Sequence, residues 1–227
     1  MKFLKLVLTF YLFIGLYGCK VEDSADVNQD KIWTGYELLY DANDSLTIAV
    51  AQFRIGGETR DVLELSQDAS VTFNGVELMF NSGYAGHAME FEGRVDSGTF
   101  AYHDLDAFTF ENTVMIIDTI AFPEDFDTIV KTQTNTLVWR GTPLAANEQV
   151  GLLIGNWKWG DAAQYVQDEE NATDIAMDAA QLSSIPVGPT TVYMDRWTDV
   201  PVAEGTSKGG NVVAKYRAVK ENIQVIN

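Results

Sequence analysis

Apolar and polar residues alternate with a period of two along most of the chain. The stretch HAMEFEGRV (residues 87–95) places Met89 and Phe91 on one face of an extended segment and acidic residues on the other, which is typical of a half-buried strand. The stretch LTIAVAQFRI (residues 46–55) is apolar on both faces and predicts a central strand. No long segment has a helical period, so an all-β fold is predicted.

Turn residues divide this pattern. The stretch VTFNGVEL (residues 71–78) places Asn74 and Gly75 between two alternating arms, which predicts a hairpin whose two central residues have positive φ. Proline and acidic residues in IAFPEDFD (residues 120–127) interrupt the alternation, so we place a domain boundary near this point. The stretch AAQLSSIPVGP (residues 179–189) predicts a short helical turn.

The predicted architecture is two β-sandwiches in tandem. Roughly seven short strands fall between residues 33 and 116, a number that suits a sandwich. Further alternating stretches continue to the end of the chain. The sequence therefore predicts a first β-sandwich domain over residues 33–116 and a second over residues 117–227.

The first 18 residues predict a signal peptide. Lys2 and Lys5 precede an apolar run over residues 6–18, after which the chain becomes polar. This run is shorter than the about 20 apolar residues that a membrane-spanning helix needs. Export with cleavage is therefore favoured over a membrane span.

Cys19 is the single cysteine of the chain and directly follows the apolar run. Leu16, Tyr17, Gly18 and Cys19 resemble the lipobox of bacterial lipoprotein signal peptides. The resemblance implies cleavage before Cys19 and acylation of its thiol, palmitate included, which would tether the protein to a membrane. An ordinary secretory signal followed by a stray thiol is the alternative.

The segment after Cys19 predicts a flexible acidic tether over residues 19–32, because KVEDSADVNQDK is polar and has no periodicity. Lys20, Glu22 and Asp23 resemble the export signals of Bacteroidota lipoproteins. This resemblance implies a place on the outer face of the outer membrane.

Two stretches of the second half carry a further resemblance. TNTLVWRGTPLAANEQVGLLI (residues 134–154) and LSSIPVGPTTVYMDRW (residues 182–197) are similar to the immunoglobulin-like modules of exported Bacteroidota lipoproteins, over about residues 117–227. The resemblance implies immunoglobulin-like sandwiches and an envelope location, and it brings no catalytic motif. The fold prediction is therefore two tandem immunoglobulin-like β-sandwich domains.

Charge excludes some partners. The net charge is −18, and removal of Lys2 and Lys5 with residues 1–18 would make it −20. Such a charge repels nucleic acid, so no nucleic-acid partner is predicted. With one cysteine, a single copy of the chain can build neither a disulfide nor a cysteine-based zinc cluster.

Catalytic motifs are missing from the sequence. Its two histidines, His87 and His103, belong to no nucleophile-elbow or H-E-x-x-H pattern, and structural roles are favoured for both. We therefore predict that the protein is not an enzyme. Paired carboxylates of the kind used in glycoside hydrolysis leave a hydrolytic enzyme with an unrecognised site as an alternative.

Acidic residues suggest two calcium hypotheses. Asp26, Asn28, Asp30 and Glu37 occupy positions 1, 3, 5 and 12 of an EF-hand-like loop, but Lys31 stands where that loop needs glycine, which disfavours the site.

A second acidic group lies near the predicted domain boundary, where calcium could neutralise crowded carboxylates. Solvated loop acids are the favoured alternative. The candidates are Asp104, Asp106, Glu124, Asp125 and Asp127. No other cofactor is predicted.

Tryptophans offer the best lead to a binding site. In NWKWGD (residues 156–161), Trp157 and Trp159 share one face of an extended segment, and Asp161 is nearby. If exposed, the pair could stack on sugar rings or on a protein partner. Burial in a sandwich core is the favoured alternative.

These features predict a lipid-anchored protein of the bacterial envelope that acts as a non-catalytic binding or assembly accessory. A surface glycan-binding lipoprotein is the first alternative, and the hydrolytic enzyme is the second. An envelope protein or a glycan is the expected partner, besides the membrane itself.

Overall fold

A computed structural model describes residues 21–156 and 161–227. The signal-peptide and lipidation predictions, including Cys19, lie outside the described residues. None of the helices in these residues has the length and apolar character of a membrane span.

Short strands dominate the described chain, which confirms the predicted all-β sandwich class. The first half contains β1 (Val21–Asp23), β2 (Ile32–Asp41), β3 (Leu46–Ile55), β4 (Val62–Glu64), β5 (Ser70–Phe73), β6 (Val76–Glu77), β7 (Met79–Asn81), β8 (Gly86–Glu92), β9 (Ser97–His103) and β10 (Thr109–Met115). Two 3-10 turns, Ser24–Asp26 and Gln29–Lys31, lie between β1 and β2.

The second half has the same character. It contains β11 (Ile120–Ala121), β12 (Thr128–Val130), β13 (Asn135–Val138), β14 (Arg140–Gly141), β15 (Glu148–Asn156), β16 (Asp161–Gln167), β17 (Asp174–Met177), α1 (Ala179–Leu182), β18 (Gly188–Pro201), β19 (Gly210–Arg217) and β20 (Glu221–Ile226). The short helix α1 confirms the predicted helical turn, and the Asp178 side chain caps it by accepting a hydrogen bond from the Gln181 amide.

One large sheet runs through both halves. Its order is β1-β4-β3-β2-β19-β18-β15-β16, with β8 also paired to β3, β7 paired to β8, and β20 paired to both β18 and β12. The halves join where β2 and β19 pair in parallel, in register from Thr34 opposite Gly210 to Asp41 opposite Arg217. We call this 12-stranded sheet the shared sheet.

The first core lies between the shared sheet and a four-stranded sheet of order β10-β9-β5-β6. It is rich in aromatic rings, and Tyr36 stacks on Phe100 at 5.0 Å between ring centroids. Val212 and Ala214 of β19 also belong to it, so a strand of the second half helps to close the first core.

The second core lies on the same side of the shared sheet as the first core, at the other end of the sheet. Trp139, Leu152, Tyr165 and Met194 are among its buried residues. Two small sheets, β11-β14 and β13-β17, flank it. The buried side chains alternate along β15 and β18 as the period-two pattern predicts.

The predicted Asn-Gly hairpin is confirmed. Asn74 and Gly75 have φ values of 50° and 77° and connect β5 to β6. The Asn74 side chain also accepts a hydrogen bond from the Thr99 amide at 3.0 Å, which fixes the turn against β9.

The described part of the predicted tether, residues 21–31, differs from a free linker. β1 pairs in parallel with β4, and Ser24 and Gln29 are buried. The Gln29 amide donates to the carbonyls of Ser24 at 2.9 Å and Val27 at 3.0 Å. The polarity of the sequence predicts solvation here, but the Gln29 side chain bonds to the backbone within the segment, and the pairing of β1 with β4 holds the segment on the first sandwich.

Candidate binding face

The shared sheet has one face turned away from both cores. Because successive side chains of a strand point to opposite faces, Trp33, Gly35 and Glu37 of β2 lie on this outer face while Tyr36 and Leu38 enter the first core. On β18 the outer residues alternate between aromatic and acidic types: Tyr193, Asp195, Trp197 and Asp199.

Two adjoining pockets, of about 210 Å³ and 330 Å³, form an open groove on the outer face. They share Trp197 and Lys215, so we treat them as one feature, the groove. It extends from Gln52 on β3 to Gln164 on β16. Six strands at a spacing of about 4.8 Å make this path about 24 Å long.

Two indole rings lie over glycines in the floor of the groove. A Cβ atom added at Gly35 would lie 2.6 Å from the Trp33 ring, and one added at Gly151 would lie 2.9 Å from the Trp197 ring. A side chain at either glycine would therefore displace the ring. Trp33 is only 9% exposed, whereas Trp197 is half-buried and is the more accessible ring.

The basic side chains of the groove are held by acidic ones. Arg217 binds Asp195 through two hydrogen bonds of 2.8 Å and lies 3.6 Å from Asp41. The hydrogen bonds to Asp195 raise the pKa of Arg217, and this effect exceeds the opposing effect of burial. The guanidinium therefore stays charged. Lys215 lies 3.1 Å from Glu37.

Other polar groups of the groove are not neutralised in this way. Asn211 donates to Asp199 at 3.0 Å, which leaves the charge of that carboxylate in place. Among the described residues, neither Asp199 nor Glu58 has a cationic side chain within salt-bridge distance. The end of the groove near β2 therefore presents carboxylates that have no cationic partner in the described part of the chain, beside an amide and an indole.

His87 is a core residue. It is 5% exposed, packs edge-on against Phe53 and Phe80, and its Nε2 accepts a hydrogen bond from the Leu65 amide at 3.2 Å. Burial lowers the pKa of His87 to about 4, so the ring is neutral at pH 7.

His103 lies on the other sheet of the first sandwich. Its Nδ1 is 2.7 Å from the hydroxyl of Thr109, the residue opposite it on β10, and the ring is exposed. Within the described chain, no carboxylate hydrogen-bonds to His103 or His87. The two histidines therefore do not form one site.

The acidic residues proposed for calcium lie in different parts of the fold. Asp104 is buried and accepts hydrogen bonds from the amides of Asp106 at 3.0 Å and Phe108 at 2.8 Å, which closes the β9–β10 turn. Asp125 and Asp127 precede β12, in the half of the chain that builds the second core.

The EF-hand-like set is dispersed as well. Asp30 accepts hydrogen bonds from the amide and hydroxyl of Ser207, and these bonds lower its pKa. Glu37 lies on β2 and pairs with Lys215. Among the residues that the structure describes, no three or more His, Cys, Asp or Glu side chains are grouped so that they could hold a metal ion.

The structure describes only part of the tryptophan binding site predicted from the sequence. Trp157 and Trp159 lie outside the described residues. Asp161 is exposed, begins β16 and pairs in register with Asn156. Trp33 and Trp197 are not among the residues predicted from the sequence, although alternation alone places each on the face opposite to its buried neighbours.

No protein-family model and no curated protein matches the chain. Among solved structures, the chain is similar to a structure described as giving insight into host cell surface retention of a 1.5-MDa bacterial ice-binding adhesin. The identity is 12% and the TM-score is 0.29, over 85% of this chain and 65% of that one. A second, a tetra-tandem repeat in the extending region of a large adhesion protein, is also 12% identical, with a TM-score of 0.27, over 84% of this chain and 50% of that one. This chain thus spans less than two thirds of either structure, and these likenesses decide nothing about its ligand.

Proposed function

We propose that this protein is a lipid-anchored, non-catalytic binding protein of the bacterial cell envelope, displayed on the outer membrane. The binding role is supported by the groove, which is open, lies on a sheet made by both halves, and gathers aromatic and polar side chains. The anchor is supported by the position of Cys19 behind the apolar run.

The chemistry of the groove favours binding over catalysis. Its cations are engaged by Glu37 and Asp195, and both histidines of the chain lie elsewhere. General acid–base catalysis needs a titratable group within hydrogen-bond reach of the reacting atoms and a pKa near the working pH. The ionic contacts of the groove instead fix side-chain positions, which suits a preorganised binding surface.

The anchor and the location are tested together in cells. We expect the wild-type protein to stay with membranes and to be digested by a protease added to intact cells, because acyl chains would hold it while the folded body faces outward. The Cys19→Ser variant is expected in the soluble fraction. Membrane retention of Cys19→Ser would contradict lipid anchoring, and protection of the wild type until lysis would contradict surface display.

A further inference from the structure

We infer that the groove binds a neutral polysaccharide, laid across the strands of the shared sheet; this inference rests on the proposed binding function and names its ligand class. Four features of the groove support it: the aromatic floor, the hydrogen-bonding groups beside that floor, the charge and the shape.

The accessible ring of Trp197 provides a stacking surface in the middle of the groove. A sugar ring has an apolar face of C–H groups and a rim of hydroxyls, so it suits a surface that joins an indole to polar neighbours. Tyr193 lies on the same face of β18, four residues away, and is also half-buried. At about 3.4 Å per residue, the Cα atoms of these two residues are about 14 Å apart along the strand.

Hydrogen-bonding groups share a pocket with this ring. Asp199 and Asn211 line the same pocket as Trp197, together with Glu58. Carboxylates accept strong hydrogen bonds from hydroxyl groups, and an amide both donates and accepts. A sugar hydroxyl also both donates and accepts hydrogen bonds, so these carboxylate and amide groups can bind it.

Charge argues against an anionic polymer. Lys215 and Arg217 are already paired with carboxylates, whereas Asp199 and Glu58 have no cationic partner among the described residues. The whole chain carries a net charge of −18. A polyanion would therefore be repelled at the groove and at longer range.

The shape of the groove argues for a chain rather than a single sugar. The two pockets adjoin at Trp197 and Lys215, and neither is enclosed. Six strands contribute to a path of about 24 Å. A polymer can enter such a groove anywhere along its length, whereas small-molecule sites enclose most of their ligand.

Calorimetric titration of the full mature chain, carrying Cys19→Ser for solubility, tests this inference. The probes are soluble xylan, laminarin, mannan and hydroxyethylcellulose, with polygalacturonate and polylysine as charged polymers. We expect at least one neutral polysaccharide to bind, and Trp197→Ala to weaken that binding about tenfold through loss of the stacking surface.

Matched variants test whether the groove itself holds the polysaccharide. Asp199→Ala removes an exposed carboxylate and should also weaken binding, with the fold checked by circular dichroism. Phe108→Ala removes an aromatic ring that is 61% exposed outside the groove, and binding should not change. Loss of binding in a Trp157→Ala/Trp159→Ala double variant, with normal binding by Trp197→Ala, would overturn the assignment to the groove.

The outcomes also separate this inference from the proposed function. Failure of every neutral polysaccharide to bind, or binding of polylysine or polygalacturonate alone, would overturn the ligand class. Membrane retention and intact-cell digestion of the wild type would still support an anchored surface protein. Release of the wild type from membranes would contradict the anchor whatever the polysaccharides show.

Discussion

The fully buried Arg196 predicts a large loss of stability when it is removed. Its side chain is 1% exposed and forms an ion pair with Glu148, which is itself only 8% exposed. The guanidinium also donates to the Thr142 carbonyl at 3.1 Å, the Thr142 hydroxyl at 3.0 Å and the Pro143 carbonyl at 3.0 Å. Arg196 therefore fastens the segment before β15 to β18.

Replacing Arg196 with alanine leaves the Glu148 carboxylate buried and unpaired. Removal of one partner of a buried ion pair costs about 3–5 kcal/mol, mostly because the remaining charge is uncompensated. The Ala145 amide still donates to Glu148 at 2.8 Å and offsets a small part of this cost. We therefore expect Arg196→Ala to lower the free energy of unfolding by about 3–4 kcal/mol.

The assay is urea unfolding of the mature chain followed by circular dichroism. With a slope of about 2–3 kcal/mol per molar urea, the midpoint should fall by about 1–2 M. The double variant Arg196→Met/Glu148→Leu replaces both charges with apolar groups and should be more stable than Arg196→Ala, since no charge is left unpaired. A loss below about 1 kcal/mol in Arg196→Ala, or a double variant less stable than it, would show that an unpaired buried charge is not the main cost.

Two further predictions concern the first core and the join between the halves. Burial lowers the pKa of His87 to about 4 from an ordinary 6.5, so the unfolded chain takes up a proton on this ring at a higher pH than the folded chain does. The stability that depends on a neutral His87 is therefore complete above pH 6.5 and is lost as the pH falls towards 4. The loss between pH 7 and pH 5 should be about 2 kcal/mol by chemical unfolding, and a His87→Gln variant that showed the same loss would assign it to other groups. Gly210→Ala places a Cβ against the carbonyl of Thr34 and 2.6 Å from its hydroxyl, so it should cost about 1–3 kcal/mol. Gly57→Ala, where a Cβ would meet no atom within 4 Å, is the control, and an equal melting temperature for the two variants would contradict the predicted clash.

Local features of the fold could be predicted from the sequence because they depend on neighbouring residues. Alternation located the strands, and Asn74-Gly75 located a hairpin, since only a few residue types accept positive φ at both turn positions. The parallel pairing of β2 with β19 could not be predicted in this way. This pairing places Thr34 opposite Gly210, and these residues are separated by most of the chain in sequence. The alternating pattern within a strand does not indicate which other strand it pairs with.

The candidate groove was beyond sequence reasoning for the same reason. Trp33 and Trp197 come from strands at opposite ends of the chain, and only the shared sheet brings them to one face. The pair in NWKWGD is easier to find because its two members are close in sequence. The packing of residues 21–31 does not follow from the sequence for a different reason, because polar side chains such as Gln29 bond to nearby backbone carbonyls rather than to water.

The groove depends on the continuity of the shared sheet, because it exists only if β2 and β19 stay paired. Native-state hydrogen exchange of the mature chain, resolved residue by residue, measures this pairing directly. The β2–β19 pairing runs from Thr34 opposite Gly210 to Asp41 opposite Arg217. We expect the amides that are hydrogen-bonded across this pairing to exchange as slowly as the core amides of β3 and β15. Fast exchange confined to this join, with both cores still protected, would show that the halves separate and would contradict a single binding face.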